Sequence, residues 1–229
     1  MSGYYSEKLS AERLRRCYDI APPRVRRYLQ FEIDFVLGYV GPSDRVLELG
    51  CGYGRVLRPL LERAAVVTGI DTSLESLRLA REELGGEPRC HLAAMDAVRL
   101  GFRQCRFDLV VCIQNGVSAF AVDQPTLIRE AVRVTRDGGR VLFSSYAPEF
   151  WSDRLEWFRM QSSMGLLGEI DEQATGNGVI VCKDGFRATT VGSREFRALA
   201  GGLGLPVELH EVDASSLFCE IQKKGRFRF

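Results

Sequence analysis

Short apolar runs alternate with helical patterns from about residue 45 onward. Runs rich in apolar and β-branched residues predict strands at residues 45–49, 66–70, 90–94, 107–113 and 139–145. Apolar side chains at helical spacing fall between these runs, at residues 55–63, 74–84 and 124–135. Strands that alternate with helices in this way predict a parallel sheet with helices on both faces.

The last part of the chain follows a different pattern. A helical segment at 195–203 precedes two strand patterns, 206–212 and 215–222, which are joined by Asp213 and Ala214. Two strands with so short a connection pair antiparallel. The predicted fold class is therefore α/β, with a doubly wound, mostly parallel seven-stranded sheet that ends in an antiparallel strand pair.

Two segments lie outside this alternation. Residues 1 to about 40 form a basic helical lead-in, with seven Lys or Arg and three acidic residues through Gln30. Residues 147–190 carry an aromatic helix pattern and then a hairpin pattern with Asp184 and Gly185 at its turn. We interpret the basic side chains of the lead-in as a solvated helix face, because acidic residues lie among them and the whole chain is nearly neutral.

Composition narrows the class of protein. The 229 residues include 31 Lys and Arg against 30 Asp and Glu, a formal net charge of +1, which argues against a strongly basic nucleic-acid binder. No run approaches the roughly 18 apolar residues of a membrane-spanning helix, and the N-terminus lacks the apolar centre of a signal peptide. We therefore expect a cytoplasmic protein that does not bind membranes and for which nucleic acid is an unlikely partner, although the net charge does not exclude a local basic patch.

The cysteines point to a reducing compartment. All seven are dispersed and none forms a C-x-x-C pair, which favours free thiols over a disulfide framework. The chain has only two histidines, and neither lies next to a cysteine pair. We expect no metal site.

The strongest local signal is a glycine loop between the first strand and its helix. Gly50, Gly52 and Gly54 alternate with other residues directly after the strand. Glycine at every second position lets the backbone turn sharply and approach a ligand that a Cβ would displace. The start of the following helix adds free N–H groups to the same place.

A carboxylate accompanies this loop. Asp71 ends the second strand 21 residues after Gly50, where it can accept hydrogen bonds from two ribose hydroxyls. The spacing is G-x-G-x-G, and Glu48 precedes it; both features count against a nicotinamide-dependent oxidoreductase, since an acid there would repel a pyrophosphate. Asp71 as a simple strand-end cap, and Glu48 as a structural partner for an arginine, remain open alternatives.

The run from Glu48 to Gly54 resembles motif I of the class I S-adenosylmethionine-dependent methyltransferases, and the likeness extends over about residues 42–146. It implies the Rossmann-like methyltransferase fold and S-adenosylmethionine as the cofactor. Glu48 and the loop backbone would then face the methionine part, Asp71 the ribose and Asp96 the adenine amino group. The cofactor-binding residues implied are Glu48, Gly50, Cys51, Gly52, Gly54, Asp71, Thr72, Met95, Asp96, Ala97, Gln114 and Asn115.

The resemblance also suggests how the chain is divided. Residues 41–146 and 191–223 would form the cofactor-binding domain, residues 1–40 a helical lid and residues 147–190 an inserted cap. Phe150, Trp151, Trp157 and Phe158 in the cap either roof an acceptor pocket or pack against the N-terminal helix or a second copy of the chain. We expect a monomer or a homodimer.

The turn after the fourth strand, residues 113–120, is the usual acceptor side of this family. It lacks the Asp-Pro-Pro-Tyr and Asn-Pro-Pro-Tyr clamps of nucleobase and glutamine methylation, and it resembles the corresponding turn of glycine N-methyltransferase-like enzymes. A small-molecule acceptor is therefore expected. Methylation of RNA or protein, and cofactor binding without transferase activity, are the alternatives.

No residue is assigned as a catalytic base. His91 and His210 lie on predicted strands away from the acceptor side, so we interpret both as structural. Asn115, Tyr5 and Tyr18 are the candidates for a catalytic role. An amine or another soft nucleophile is favoured, because methyl transfer from a sulfonium mainly needs alignment and exclusion of water.

Overall fold

A central sheet organises the molecule. The computed structural model describes Tyr4 and residues 8–224. In chain order its strands are β1 Arg45–Leu49, β2 Val66–Asp71, β3 Cys90–Ala94, β4 Phe107–Cys112, β5 Thr135–Tyr146, β6 Ile180–Val181, β7 Arg187–Ala188, β8 Val207–Val212 and β9 Ser216–Gln222. Its helices of the α type are α1 Ala11–Asp19, α2 Pro23–Leu37, α3 Leu57–Leu61, α4 Leu74–Glu83, α5 Gly116–Ala119, α6 Gln124–Val134, α7 Trp151–Ser163 and α8 Ser193–Gly201.

Seven of these strands form one sheet in the order β3-β2-β1-β4-β5-β9-β8. Pairing is parallel from β3 across to β5, whereas β9 pairs antiparallel with both β5 and β8. The doubly wound, mostly parallel seven-stranded sheet with a terminal antiparallel pair is confirmed. Its strand order reverses between β1 and β4, and ligands of open α/β sheets bind at the carboxyl ends of strands beside such a reversal.

The predicted strands agree with the sheet to within a few residues. β3 has the predicted bounds, while β5 begins at Thr135, four residues before the predicted start at Gly139. A Cβ at Gly139 would lie 2.6 Å from the Asp108 carbonyl oxygen on β4. Glycine therefore lets β5 approach β4 closely at a point where apolar patterning reveals no strand.

Helices cover the sheet on both faces. One hydrophobic cluster joins Leu127 and Ile128 of α6 and Phe196 of α8 to the sheet. A second cluster joins Ile33 of α2 and Leu57 of α3 to the sheet. Because both faces are covered, strands such as β4 are apolar almost throughout.

The helix that follows β2 starts where the sequence predicts. The Ser73 hydroxyl accepts a hydrogen bond from the Ser76 N–H at 3.2 Å, the arrangement of a helix N-cap. This cap holds the beginning of α4 beside the glycine loop and Asp71.

A third hydrophobic cluster joins the N-terminal helices to the insertion. Tyr28 of α2 packs with Phe150 and Tyr146, with ring centroids 4.8 and 5.4 Å apart. The Trp157 indole N–H donates to the Cys17 carbonyl at 2.8 Å. The N-terminal helices and α7 therefore share one core.

The expectation of a solvated basic face on the N-terminal helices is wrong in part. Arg13 donates to the carbonyls of Gly165 and Leu166, and Arg24 and Arg27 pair with Asp213. These arginines tie the N-terminal helices to other parts of the fold, a role that charge patterning alone does not reveal.

Among the described residues, no helix has both the length and the apolar character needed to cross a membrane. All seven cysteines are free thiols, and five of them are buried.

Candidate functional site

A large cavity lies at the carboxyl ends of β1 to β4. The space within it, including open solvent at its mouth, measures about 1280 Å³. We call the residues at the strand ends and the start of α4 the strand-end wall: Gly50, Gly52, Ile70, Asp71, Thr72, Ser73, Ser76, Met95, Asp96 and Ala97. The lid-and-cap wall is Leu9, Leu14, Cys17, Tyr18, Tyr146, Trp157, Phe158 and Gln161.

The turn after β4 and helix α5 lie between these two walls. Ile113, Gln114, Gly116, Ala119, Phe120 and Val122 line the cavity there. The cavity therefore extends from the sheet edge to a chamber under the N-terminal helix and the insertion.

The glycine loop is held against β2. The N–H groups of Gly50 and Cys51 both donate to the Ile70 carbonyl, at 2.8 and 2.9 Å. Gly50 has φ of +73°, and a Cβ there would lie 2.4 Å from the Phe120 ring. The backbone at Gly50 therefore reaches the cavity in a space that no side chain can share.

The other loop residues divide between cavity and core. Gly52 lines the cavity, while Gly54 packs against α4, where a Cβ would lie 3.2 Å from that of Ala80. The Cys51 side chain is buried beside Gly69. Neither Cys51 nor Gly54 is among the cavity-lining residues, although both were predicted to contact the cofactor.

Asp71 links the loop to the start of α4. Its carboxylate accepts from the Gly52 N–H at 2.9 Å and from the Ser73 N–H at 2.8 Å, and it lines the cavity. Burial raises the pKa of Asp71, and these backbone hydrogen bonds oppose the rise. The carboxylate therefore caps the strand end, and each oxygen keeps a further lone pair for a ligand.

The end of β3 supplies the opposite side of this wall. Met95, Asp96 and Ala97 all line the cavity. The Met95 sulfur accepts from the Gly101 N–H at 3.3 Å, and Asp96 accepts from the Val98 N–H at 3.0 Å. One oxygen of the exposed Asp96 carboxylate thus caps its own turn, and the other makes no hydrogen bond to the described residues.

Glu48 lies behind the glycine loop, outside the cavity lining. It is 4% exposed, and its Oε2 has no hydrogen-bond partner among the described residues. Burial raises its pKa to about 8, against an opposing effect of the Arg55 guanidinium. Arg55 makes no ion pair with Glu48 in the described part of the chain; instead it lies 5.0 Å from the Tyr18 ring centroid.

The turn after β4 has a strained backbone. Gln114 and Asn115 have φ of +56° and +61°, a region that residues other than glycine seldom adopt. The Gln114 N–H donates to the Glu32 carboxylate at 2.9 Å and to the Ser144 hydroxyl at 2.8 Å. Glu32 is fully buried on α2, and burial raises its pKa to about 7.

The structure does not bring the Asn115 side chain to the cavity. Its amide donates to the Thr189 carbonyl at 2.9 Å and accepts from the Ser145 hydroxyl at 2.7 Å. The left-handed turn directs this side chain into the core, where it joins β5 to the insertion. Asn115 is thus a poor candidate for contact with a ligand, contrary to the expectation from sequence.

Tyr18 is brought to the cavity, whereas Tyr5 lies outside the described residues. The Tyr18 hydroxyl donates to the Gln114 side-chain oxygen at 2.9 Å. Its ring lies 5.8 Å from that of Trp157, centroid to centroid. Tyr18 therefore connects α1 to both the β4 turn and α7.

Sequence reasoning missed several cavity residues, of which Cys17, Tyr146 and Gln161 are examples. One signal was present: Gln161 lies four residues after Trp157 and three after Phe158, so all three share a helix face. Tyr146 gave no signal because residues 141–145, which precede it on the strand, are all buried in the core.

Neither histidine lies at the cavity. His91 is exposed on β3, and His210 on β8 lies 3.0 Å from the Glu220 carboxylate. Glu208, His210 and Glu220 could together offer ligand atoms to a cation, on the edge strands β8 and β9. Glu220 already pairs with Arg140 and accepts from Tyr39, so we assign this group a structural role.

Part of this chain matches a known protein family. Residues 46–139 match the family model described as a methyltransferase domain. This region runs from β1 into β5 and contains the glycine loop, Asp71, the β3 end and the β4 turn.

Individual relatives match about half of this chain. The phosphatidylethanolamine N-methyltransferase of Cereibacter sphaeroides is 42% identical over 108 residues, 45% of this chain and 51% of that protein. The demethylmenaquinone methyltransferase of Streptomyces griseus is 31% identical over 111 residues, 48% of this chain and 46% of its own length. The chain spans about half the length of the curated relatives it matches.

Solved structures support the fold. A SAM-dependent methyltransferase of Methanosarcina mazei superposes with a TM-score of 0.63 at 19% identity, covering 84% of this chain and 98% of that one. At this identity the likeness concerns the fold alone.

Proposed function

We propose that this chain binds S-adenosylmethionine and methylates a small molecule. The premise is that residues 46–139 are a domain of the class I S-adenosylmethionine-dependent methyltransferase family. The observation that carries the proposal is the cavity at the ends of β1 to β4. It joins a glycine loop and a strand-end carboxylate to side chains of the N-terminal helix and the insertion.

The residues present fit the cofactor. At Gly50 the loop approaches the cavity where a Cβ would clash, and Asp71 keeps lone pairs that can accept from ribose hydroxyls. Asp96 would accept from the adenine amino group, with Met95 and Ala97 beside the ring. Glu48, whose buried Oε2 has no partner among the described residues, lies outside the cavity lining, so its proposed contact with the methionine ammonium requires its side chain or the loop to move.

When bound, the cofactor supplies a methyl group that is already activated on a sulfonium. The chain's own part is then to orient the acceptor and to exclude water. No histidine lines the cavity, and its carboxylates, Asp71 and Asp96, are on the strand-end wall. An amine in its neutral form, or another soft nucleophile that needs no protein base, fits this arrangement best.

A small acceptor is supported by the lid-and-cap wall. The side chains of α1 and α7 lie over the chamber and are joined by the hydrogen bond from Trp157 to Cys17. We propose that residues 1–40 act as a lid, residues 147–190 as a cap, and residues 41–146 with 191–223 as the cofactor domain. The free thiols favour a cytoplasmic site of action, and a monomer or homodimer remains our prediction.

Calorimetry tests this function. S-adenosylhomocysteine, the demethylated product, should bind the purified chain, and Asp71→Ala should weaken binding by about tenfold or more, because charge-assisted hydrogen bonds to the ribose are lost. Asp137→Ala, on an exposed part of β5, is the matched control and should leave binding unchanged. Tight binding of NAD in place of S-adenosylhomocysteine would refute the proposal.

A further inference from the structure

We propose that the lid-and-cap wall receives an uncharged ring compound whose polar substituent hydrogen-bonds to the side-chain amide of Gln161. This inference rests on the function proposed above and specifies the class of its acceptor.

The shape of the chamber favours a ring. Tyr18, Trp157 and Phe158 line it from two elements, with the Tyr18 and Trp157 centroids 5.8 Å apart and those of Trp157 and Phe158 5.7 Å apart. Tyr146 adds a further ring at the end of β5. Aromatic side chains pair with other rings in offset or edge-to-face geometry, and this pairing adds to the burial of apolar area.

The chamber offers no counter-charge to a charged ligand. None of the described residues of the lid-and-cap wall is Asp, Glu, Lys or Arg. Burial raises the pKa of the Cys17 thiol to about 12 and raises that of Tyr146, so both groups are neutral near pH 7. An ammonium or carboxylate placed here would find no charged side chain in the wall itself, since Arg55 and Arg154 lie outside the cavity lining, and burial without such a partner is costly.

Guanidinium groups already lie over three of the four rings, those of Tyr18, Tyr146 and Phe158. Arg154 lies 4.3 Å from the Tyr146 centroid, and Arg55 lies 5.0 Å from that of Tyr18. A ligand cation on these rings would meet a guanidinium of like charge. The aromatic residues therefore favour a neutral ring over a quaternary ammonium group.

Gln161 carries the one side-chain amide among the described residues of this wall. It lies on α7, is 3% exposed and lines the cavity, yet its side-chain amide makes no hydrogen bond to the described residues. The amide faces the open cavity, where water can satisfy it. A ligand that displaces this water must offer the amide a hydrogen-bond partner of its own, or affinity is lost. An amide both donates and accepts, and an uncharged hydroxyl, carbonyl or aromatic amine satisfies it without a counter-charge.

A matched series of naphthalenes tests the inference by binding alone. The full chain is first titrated with S-adenosylhomocysteine by calorimetry, and failure of this step refutes the proposed function. The chain, with or without that ligand bound, is then titrated at pH 7 with 1-naphthol, cationic 1-naphthylmethylamine and anionic 1-naphthoate. We expect 1-naphthol to bind at least about tenfold more tightly than either ion, because only the ions bury an unpaired charge.

Variants locate the effect at Gln161. Gln161→Leu should weaken 1-naphthol binding by about tenfold, the loss of one buried hydrogen bond. It should leave S-adenosylhomocysteine binding unchanged. Gln173→Leu, an exposed change in the same insertion, is the control. Gln161→Glu should shift preference toward 1-naphthylmethylamine.

The proposal is overturned if an ion binds wild type as tightly as 1-naphthol, if none of the three binds, or if folded Gln161→Leu binds 1-naphthol like wild type. If a variant does not fold, the wild-type series still tests whether the chamber prefers an uncharged ring.

Discussion

Glu48 combines deep burial with an unsatisfied oxygen directly behind the glycine loop. Burial raises its pKa from 4.5 to about 8, and the nearby Asp71 charge adds to the rise while Arg55 opposes it. In the unfolded chain the same group ionises near its usual pKa. The folded state therefore loses stability as pH rises from about 4.5 through 8, since the folded protein must ionise a carboxyl that burial keeps protonated.

Glu48→Gln should remove this dependence. Each pKa unit corresponds to about 1.4 kcal/mol, so wild type should lose several kcal/mol of its free energy of unfolding across this range. The variant should lose less, and its remaining decline should level off about one pH unit above 7, because the pKa of Glu32 is about 7. Urea unfolding at a series of pH values measures this, with exposed Glu62→Gln as the control. Parallel curves for Glu48→Gln and wild type would contradict the account.

Individual residues also show the limits of inference from sequence. The strand-end position of Asp71 was predictable, because a carboxylate after a strand and 21 residues beyond a glycine loop has few other places to lie. The orientation of Asn115 was not, since it depends on a left-handed turn and on Thr189, a residue 74 positions away. The contacts of Arg13, Arg24 and Arg27 could not be predicted either, because their partners are distant in the sequence.

Among the elements, the glycine loop and α5 constrain each other. Phe120, the C-cap of α5, fills the space in which a Cβ of Gly50 would lie. The loop can therefore approach a ligand only as long as residue 50 has no side chain, because the Phe120 ring occupies its other side. The strands beside this loop were predictable from apolar runs, but this contact between loop and helix left no pattern in the sequence.

Gly50→Ala should abolish binding of S-adenosylhomocysteine, because the new methyl group must displace Phe120 or the loop. The backbone adds a cost of about 1–3 kcal/mol for a side chain at positive φ. Gly85→Ala is the matched control: its φ is +60° and a Cβ there meets nothing within 4 Å. It should lose stability but keep binding, as measured by thermal unfolding and calorimetry. Binding by Gly50→Ala at wild-type affinity would show that the loop does not contact the ligand.

The whole molecule brings together three parts of the chain around one cavity. The sheet supplies the strand ends, the N-terminal helices supply Tyr18 and Cys17, and the insertion supplies Trp157 and Gln161. The sheet could be predicted because each of its strands carries its own run of apolar residues. The sequence left the position of the insertion open, because that depends on a core shared with α1 and α2, whose contacts span more than a hundred residues.

The central claim is that the strand-end wall binds S-adenosylmethionine and leaves the lid-and-cap wall to the methyl acceptor. A crystal structure of the full chain with S-adenosylhomocysteine tests it most directly. The account predicts ribose hydroxyls within hydrogen-bond distance of Asp71, adenine beside Met95 and Ala97, and the sulfur facing the chamber of Tyr18 and Trp157. Adenine in the chamber under Trp157, or a ligand that makes no contact with Asp71, would contradict it.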